Sequence, residues 1–227
     1  MTSFPETPVL AIDTSTTYLS LALAVDGKLH TRHFDAGNQQ SEQILPQIAE
    51  LFAETGITAA DLGRIVYAAG PGAFTGLRIG IGIAQGLAVP FDTPLQGIAA
   101  LDSVAYQKVP HPCILAATDA RMGEVFYAWF DTLNHRRLSD YCVGKAAEIR
   151  PPTAYANHDI IGIGNAFALA VPPPFPGSAD MPTAADYLTL AQSGRYPLTS
   201  AAEAGLLYVR NKIALTAQEQ ATRKAAS

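Results

Sequence analysis

The chain has 227 residues, 48 % hydrophobic and 15 % charged, with a formal net charge of −5. That balance suits a globular chain with a sizeable core and excludes a disordered one. Twenty acidic residues against fifteen basic ones, without a basic run, exclude a protein that grips nucleic acid through its own charge. Cys113 and Cys142 have no C-x-x-C spacing and read as reduced thiols of a cytoplasmic protein. Met1 to Pro8 lacks the basic start and apolar run of a signal peptide. The most apolar stretch, Ile79 to Phe91, is broken by Gln85 and glycines and falls short of the roughly 18 apolar residues of a membrane span.

Val9 to Ile12 is a short apolar run that ends at Asp13, and the hydroxyl-rich turn Thr14-Ser15-Thr16-Thr17 follows. Tyr18 to Val25 reads as a second strand, Asp26-Gly27 as a hairpin turn and Leu29 to Phe34 as a third strand. The chain is thus expected to open as an antiparallel meander. Ile44, Leu45, Ile48, Leu51 and Phe52 recur at helical spacing and predict a helix over Ser41 to Glu54, with Gly56 as its C-cap. Leu62 to Ala69 is a fourth strand that runs into Gly70-Pro71-Gly72. A second helix is expected over Gly76 to Val89, a strand over Thr93 to Ile98 and a helix over Ala99 to Gln107.

The second half has a similar rhythm. Strands are expected over Ile114 to Thr118, Glu124 to Phe130 and Asp159 to Ile163. The prolines of Val171 to Gly177 predict a loop. Ala184 to Gly194 and Ser200 to Leu207 read as helices, and Ala217 to Ser227 as a polar, frayed tail. Asp13 and Asp119 each end an apolar strand that leads through a turn into another strand, which hints at a duplicated α/β lobe. The division expected is 1–107 for a first lobe and 108–227 for a reduced second lobe, with a C-terminal helix packing back on the first.

Two segments carry the pattern of a phosphate or nucleotide loop. Asp13, Thr14, Ser15 and Thr16 form a strand-turn-strand whose hydroxyls and amides could hold an anion. An ordinary turn, with Ser and Thr satisfying backbone groups, is the competing reading. The run from Gly70 to Arg78 passes from a strand through glycines into a helix, where Gly70, Gly72 and an N-capping Thr75 could present amides to an anion. Glycine demand from turn geometry alone is the alternative. Arg78 stands in the first turn of that helix, where a cation meets the positive end of the dipole. Paired with Asp119, Asp13 could hold magnesium in an actin-like ATPase or small-molecule kinase. Equally, both aspartates could simply cap turns.

The second helix is rich in small residues. Gly76, Gly80, Ala84 and Ala88 lie four apart, and Gly82 and Gly86 lie on a neighbouring line. Gly80, Gly82 and Gly86 together cost about 2–3 kcal/mol relative to alanine. Close packing inside the lobe or a docking face for another subunit would offset this.

Taken together, four segments resemble the bacterial TsaB (YeaZ) family: Ala11 to Ser15, Gly70 to Gly82, Asp119 to Val125, and Tyr208-Val209-Arg210-Asn211. The resemblance implies an α/β fold of the actin-like, Hsp70-like ATPase type (ribonuclease H-like), with two similar lobes, the second reduced. It implies a cytoplasmic, non-catalytic subunit that forms a heterodimer with TsaD, the transferase that makes threonylcarbamoyladenosine in transfer RNA. The small ATPase TsaE completes the set, and tRNA is met indirectly through the complex. Without TsaD, a homodimer is implied. Family members pair through their first two helices, which places the interface here on Ile44, Ile48, Leu51, Phe52, Gly76, Arg78, Gly80, Gly82, Ile83 and Gly86. Weak ATP or ADP binding is the only cofactor expectation.

TsaD carries His-x-x-x-His where this chain has Ala100 and Val104, neither of which can ligate a metal. His30, His33, His111, His135 and His158 show no such spacing. No metal site and no catalytic residue is expected.

Overall fold

The computed structural model describes residues 7–209. Strands β1 (Val9–Asp13), β2 (Tyr18–Val25) and β3 (Lys28–Asp35) form the expected meander, turned at Asp26 and Gly27, both with positive φ. Helix α1 (Gln40–Thr55), β4 (Arg64–Gly70), α2 (Phe74–Ala88), β5 (Leu95–Ala99) and α3 (Ala100–Ala105) follow. The first sheet runs β3-β2-β1-β4-β5, antiparallel across the meander and parallel from β1 to β4 to β5. Every residue of β1 is buried, because both faces of the sheet are covered. Leu10 and Ile12 join Ile44, Ile48 and Leu51 of α1 and Ala84 and Ala88 of α2. Val9 and Ala11 face the other way, toward Tyr187, Leu188 and Ala191 of α4 (Ala184–Ala191).

The second sheet is built from β6 (Ile114–Arg121), β7 (Glu124–Asp131), β8 (Arg136–Arg137), β9 (Cys142–Lys145), β10 (Ile161–Ile163) and β11 (Gly177–Ser178). Its order is β11-β10-β6-β7-β8, with β9 also on β7. The antiparallel β6–β7 pair and the parallel β6, β10, β11 set repeat the pattern of β1–β2 and β1, β4, β5. Where α1 and α2 connect the strands of the first sheet, the described connections between the strands of the second are short 3-10 turns such as Ala146–Glu148 and Asn165–Ala168. This lobe is the reduced one. Leu101, Val104 and Ala105 of α3 pack into its core with Ile114, Ala116 and Phe130.

Several expectations need correction. Helix α2 starts at Phe74 with Ala73 as N-cap, so Thr75 lies inside the helix and caps nothing. Ser200 to Leu207 is not a helix. The Ser200 N–H and hydroxyl both reach the Glu203 carboxylate, which closes a single turn. The chain then leaves that turn for specific partners: Gly205 N–H and C=O engage the Tyr67 hydroxyl, and Leu207 N–H donates to Ala69 C=O. Helices α3 and α4 are each shorter than their apolar runs suggest. With the 3-10 turn Val89–Phe91 that follows it, α2 makes an 18-residue stretch of mean hydropathy 1.3, long and apolar enough by composition to cross a membrane. One third of it is buried in the structure. The polar tail from Ala217 and the pair Arg210-Asn211 lie outside the described residues.

Candidate functional site

The two segments nominated as phosphate loops meet, and they meet in direct contact. Ala73 N–H donates to Ser15 C=O at 2.7 Å, and the Thr14 hydroxyl donates to Gly76 C=O at 2.7 Å. A Cβ on Gly72 would stand 2.5 Å from Ser15 O, one on Gly76 2.0 Å from Thr14 O, and one on Gly80 2.4 Å from Thr14 Oγ1. These glycines exist so that α2 and its loop can close onto the turn. Gly70, at φ 98, faces Leu207 C=O instead. From the other side, the Gln40 side chain donates to Thr16 C=O and Tyr18 C=O and braces the turn.

Asp13, Thr14 and Ser15 are therefore all buried. The Asp13 carboxylate accepts the Ser15 N–H at 2.8 Å. Burial pushes its pKa up, and the Ser15 hydrogen bonds and the more distant His33 only partly offset that. Tyr187 of α4 is fully buried beside Asp13 and Ser15, and its hydroxyl has no partner in hydrogen-bond geometry. The space over the turn is thus filled by the protein itself.

Asp119 belongs to a separate arrangement. Its N–H donates to Asn165 Oδ1, and its carboxylate accepts the Arg121 N–H and lies 3.7 Å from the Arg121 guanidinium. It fixes a tip at which Arg121, Met122 and Gly123 all have positive φ and Met122 is almost wholly exposed. Asp13 and Asp119 share no hydrogen-bond partner among the described residues.

The residues assigned to the α1–α2 face divide in two. Ile44, Ile48 and Leu51 are core residues, as are Gly76 and Gly80, and Phe52 packs at the margin of the same core. They shape the lobe and do not form a surface. Arg78, Gly82 and Gly86 are exposed, with Ile83 half-buried beside them. Among the described residues, a Cβ on Gly82 or Gly86 would meet nothing within 4 Å. On α1 the outward apolar residue is Leu45, half exposed. Arg78 has found a partner that sequence reasoning missed: its guanidinium lies 3.8 Å from the Phe74 ring centroid.

Ala100 and Val104 are buried in α3. Among the described residues no group of three or more His, Cys, Asp or Glu side chains is gathered as metal ligands. His30 and His33 stand on opposite faces of β3, His33 stacking on Tyr18. His111 Nδ1 accepts the Cys113 N–H, and burial pushes the Cys113 thiol up to about 11.

Two related sheets, the first clothed by helices on both faces, define an actin-like α/β protein of the ribonuclease H-like class. Residues 34–224 match the family model described as TsaD: tRNA N6-adenosine threonylcarbamoyltransferase. YeaZ from Pseudomonas aeruginosa superimposes with a TM-score of 0.78 at 29 % identity, covering 89 % of this chain and 100 % of that one. The tRNA threonylcarbamoyladenosine biosynthesis protein TsaB of Escherichia coli K12 is 42 % identical over 124 residues, 53 % of either protein. Its Bacillus subtilis 168 counterpart is 30 % identical over 128 residues, 56 % of either. The chain spans about half the length of these curated relatives. It belongs to the TsaB (YeaZ) family.

Proposed function

We propose that this chain is a non-catalytic subunit in the biosynthesis of threonylcarbamoyladenosine in tRNA, and that it docks onto a TsaD-type transferase through the outer face of α2. The observation that carries this reading is the pair Gly82 and Gly86. Each costs about 0.8–1 kcal/mol in a helix, and neither is required by any contact among the described residues. A backbone that another helix must approach closely accounts for both. Helix α2 and the 3-10 turn after it also expose apolar residues, Phe74, Val89 and Phe91.

Two features support an accessory role. The positions matching the transferase's histidine pair hold Ala100 and Val104, both in the core. The Asp13 turn, which an ATPase of this class would need open, is packed by α2 and Tyr187. In this reading the set acts in the cytoplasm, TsaE completes it, and tRNA is held mainly by the other subunits, in keeping with the acidic balance of this one.

Light scattering on the purified chain, alone and mixed with its cognate TsaD, tests the proposal. A defined heterodimer is expected, lost on Gly82→Leu, with threonylcarbamoyl transfer seen only when both subunits are present. Failure to co-elute, or transfer by this chain alone, would sink it.

A further inference from the structure

The geometry points to Phe74, Arg78 and Tyr208 as the anchor of the partner-binding surface, with Arg78 receiving a carboxylate from the partner subunit. This rests on the docking role proposed above and adds where binding energy concentrates and what chemistry the partner must present.

Phe74, Arg78, Gly82 and Gly86 follow one another at four-residue steps, and all are exposed, so they trace one line along the outer side of α2. At its N-terminal end the line gains bulk. Phe74 and Tyr208 are each 54 % exposed, and their rings lie 6.0 Å apart. Tyr208 comes from far along the chain and is set in place by the Leu207–Ala69 and Gly205–Tyr67 hydrogen bonds just before it. Two exposed aromatic rings and an arginine held side by side are the residue types that dominate interface anchors. The glycine portion of the line admits a close backbone, and the aromatic portion supplies area.

Arg78 sets the partner's charge. Its guanidinium stacks on Phe74 but makes no hydrogen bond or ion pair among the described residues. It sits near the positive end of α2, whose first turn carries no acidic residue to offset it. Stacking leaves the edge N–H groups of the guanidinium open, and a carboxylate is the group that matches them two at a time. Arg78 is the one cation on the line Phe74, Arg78, Gly82 and Gly86, and in a chain of net charge −5 it gives no track for a nucleic-acid backbone, so the occupant is a protein surface.

Calorimetric titration of the full chain with its cognate TsaD tests this, using Phe74→Ala, Tyr208→Ala, Arg78→Ala and Arg78→Glu, with Gly82→Leu alongside. The expected result is a loss of at least about tenfold in affinity for Phe74→Ala and Arg78→Ala. Arg78→Glu should be weaker still, and no variant should melt markedly below the wild type. Raising the salt should weaken the wild type more than Arg78→Ala. If Gly82→Leu abolishes binding while the anchor variants bind like the wild type, the anchor is wrong and the docking face stands. If no variant, Gly82→Leu included, alters binding, the docking face itself fails. A homodimer of the chain alone that Arg78→Glu dissociates, with TsaD binding unchanged, would give the anchor to a second copy and overturn the assignment.

Discussion

Asp13 accepts one backbone hydrogen bond in a setting that otherwise disfavours its charge. The folded state holds the Asp13 proton more tightly than the unfolded chain does, so this group's contribution to stability is full below its ordinary value of 3.8 and is lost as pH rises through the raised value. Asp13→Asn keeps an oxygen for the Ser15 N–H and removes the buried charge. The variant should melt above the wild type at pH 7, by a few degrees if the gain is about 1 kcal/mol. The difference should shrink as the pH is lowered and vanish below the ordinary value. Thermal melts of both proteins between pH 3 and pH 8 check this, and a variant that melts lower at pH 7 would show the charge to be needed. The sequence marked Asp13, Thr14 and Ser15 as a special turn but could not say that Gly72, Gly76 and Tyr187 fill the space above it. That follows from contacts up to 174 residues apart.

At the scale of the helix, α2 shows how much a periodic pattern discloses. Its two lines of small residues were visible as period-four runs, and so was the apolar stripe of α1. Which line faced inward was not visible, because that depends on where the helix begins and what the turn after β1 occupies. The inner line is Gly76, Gly80, Ala84 and Ala88, and the outer line holds Gly82 and Gly86. The family resemblance put Ile44, Ile48 and Leu51 at the partner interface, whereas their period is that of the core, which they fill. The two lines should respond oppositely to one methyl group. Gly82→Ala and Gly86→Ala add a side chain in open space and should each stabilise the free chain by about 0.8–1 kcal/mol. Gly76→Ala forces Thr14 or α2 to move and should destabilise it by about 1–3 kcal/mol or more. Urea denaturation of the three variants reads this directly, and equal effects at 76 and 82 would remove the distinction between inner and outer glycines.

For the whole molecule, the strand pattern repeated between the lobes was anticipated from two aspartates at matching strand ends, while the junction that fixes the lobes went unseen. Asp102 of α3 holds that junction. One carboxylate oxygen accepts the Tyr141 hydroxyl at 2.7 Å, from the segment entering β9 of the second sheet. The other accepts the Tyr196 hydroxyl at 2.9 Å, and Tyr196 C=O is in turn held by Gln96 of β5 in the first sheet. Arg137 stacks over Tyr141, and Arg195 stacks over Tyr106. Burial raises the Asp102 pKa, but the two tyrosines and the charges of Arg137 and Arg195 pull against that. Each tyrosine is remote in sequence from Asp102, so neither spacing nor periodicity could have paired them. Asp102→Ala takes the acceptor from two half-buried hydroxyls at once, at up to about 1–3 kcal/mol for each group left unsatisfied. The melting temperature should fall by roughly 4 °C or more, up to about 24 °C, at the sensitivity of a chain this size. Asp102→Asn, which still offers one acceptor, should fall less. If the junction sets the angle between the sheets, small-angle scattering should show Asp102→Ala with a larger radius of gyration than the wild type under conditions where both are folded. An unchanged radius with a lowered melting temperature would make Asp102 a local brace within the second lobe and leave the lobe angle to the packing of α3 and α4.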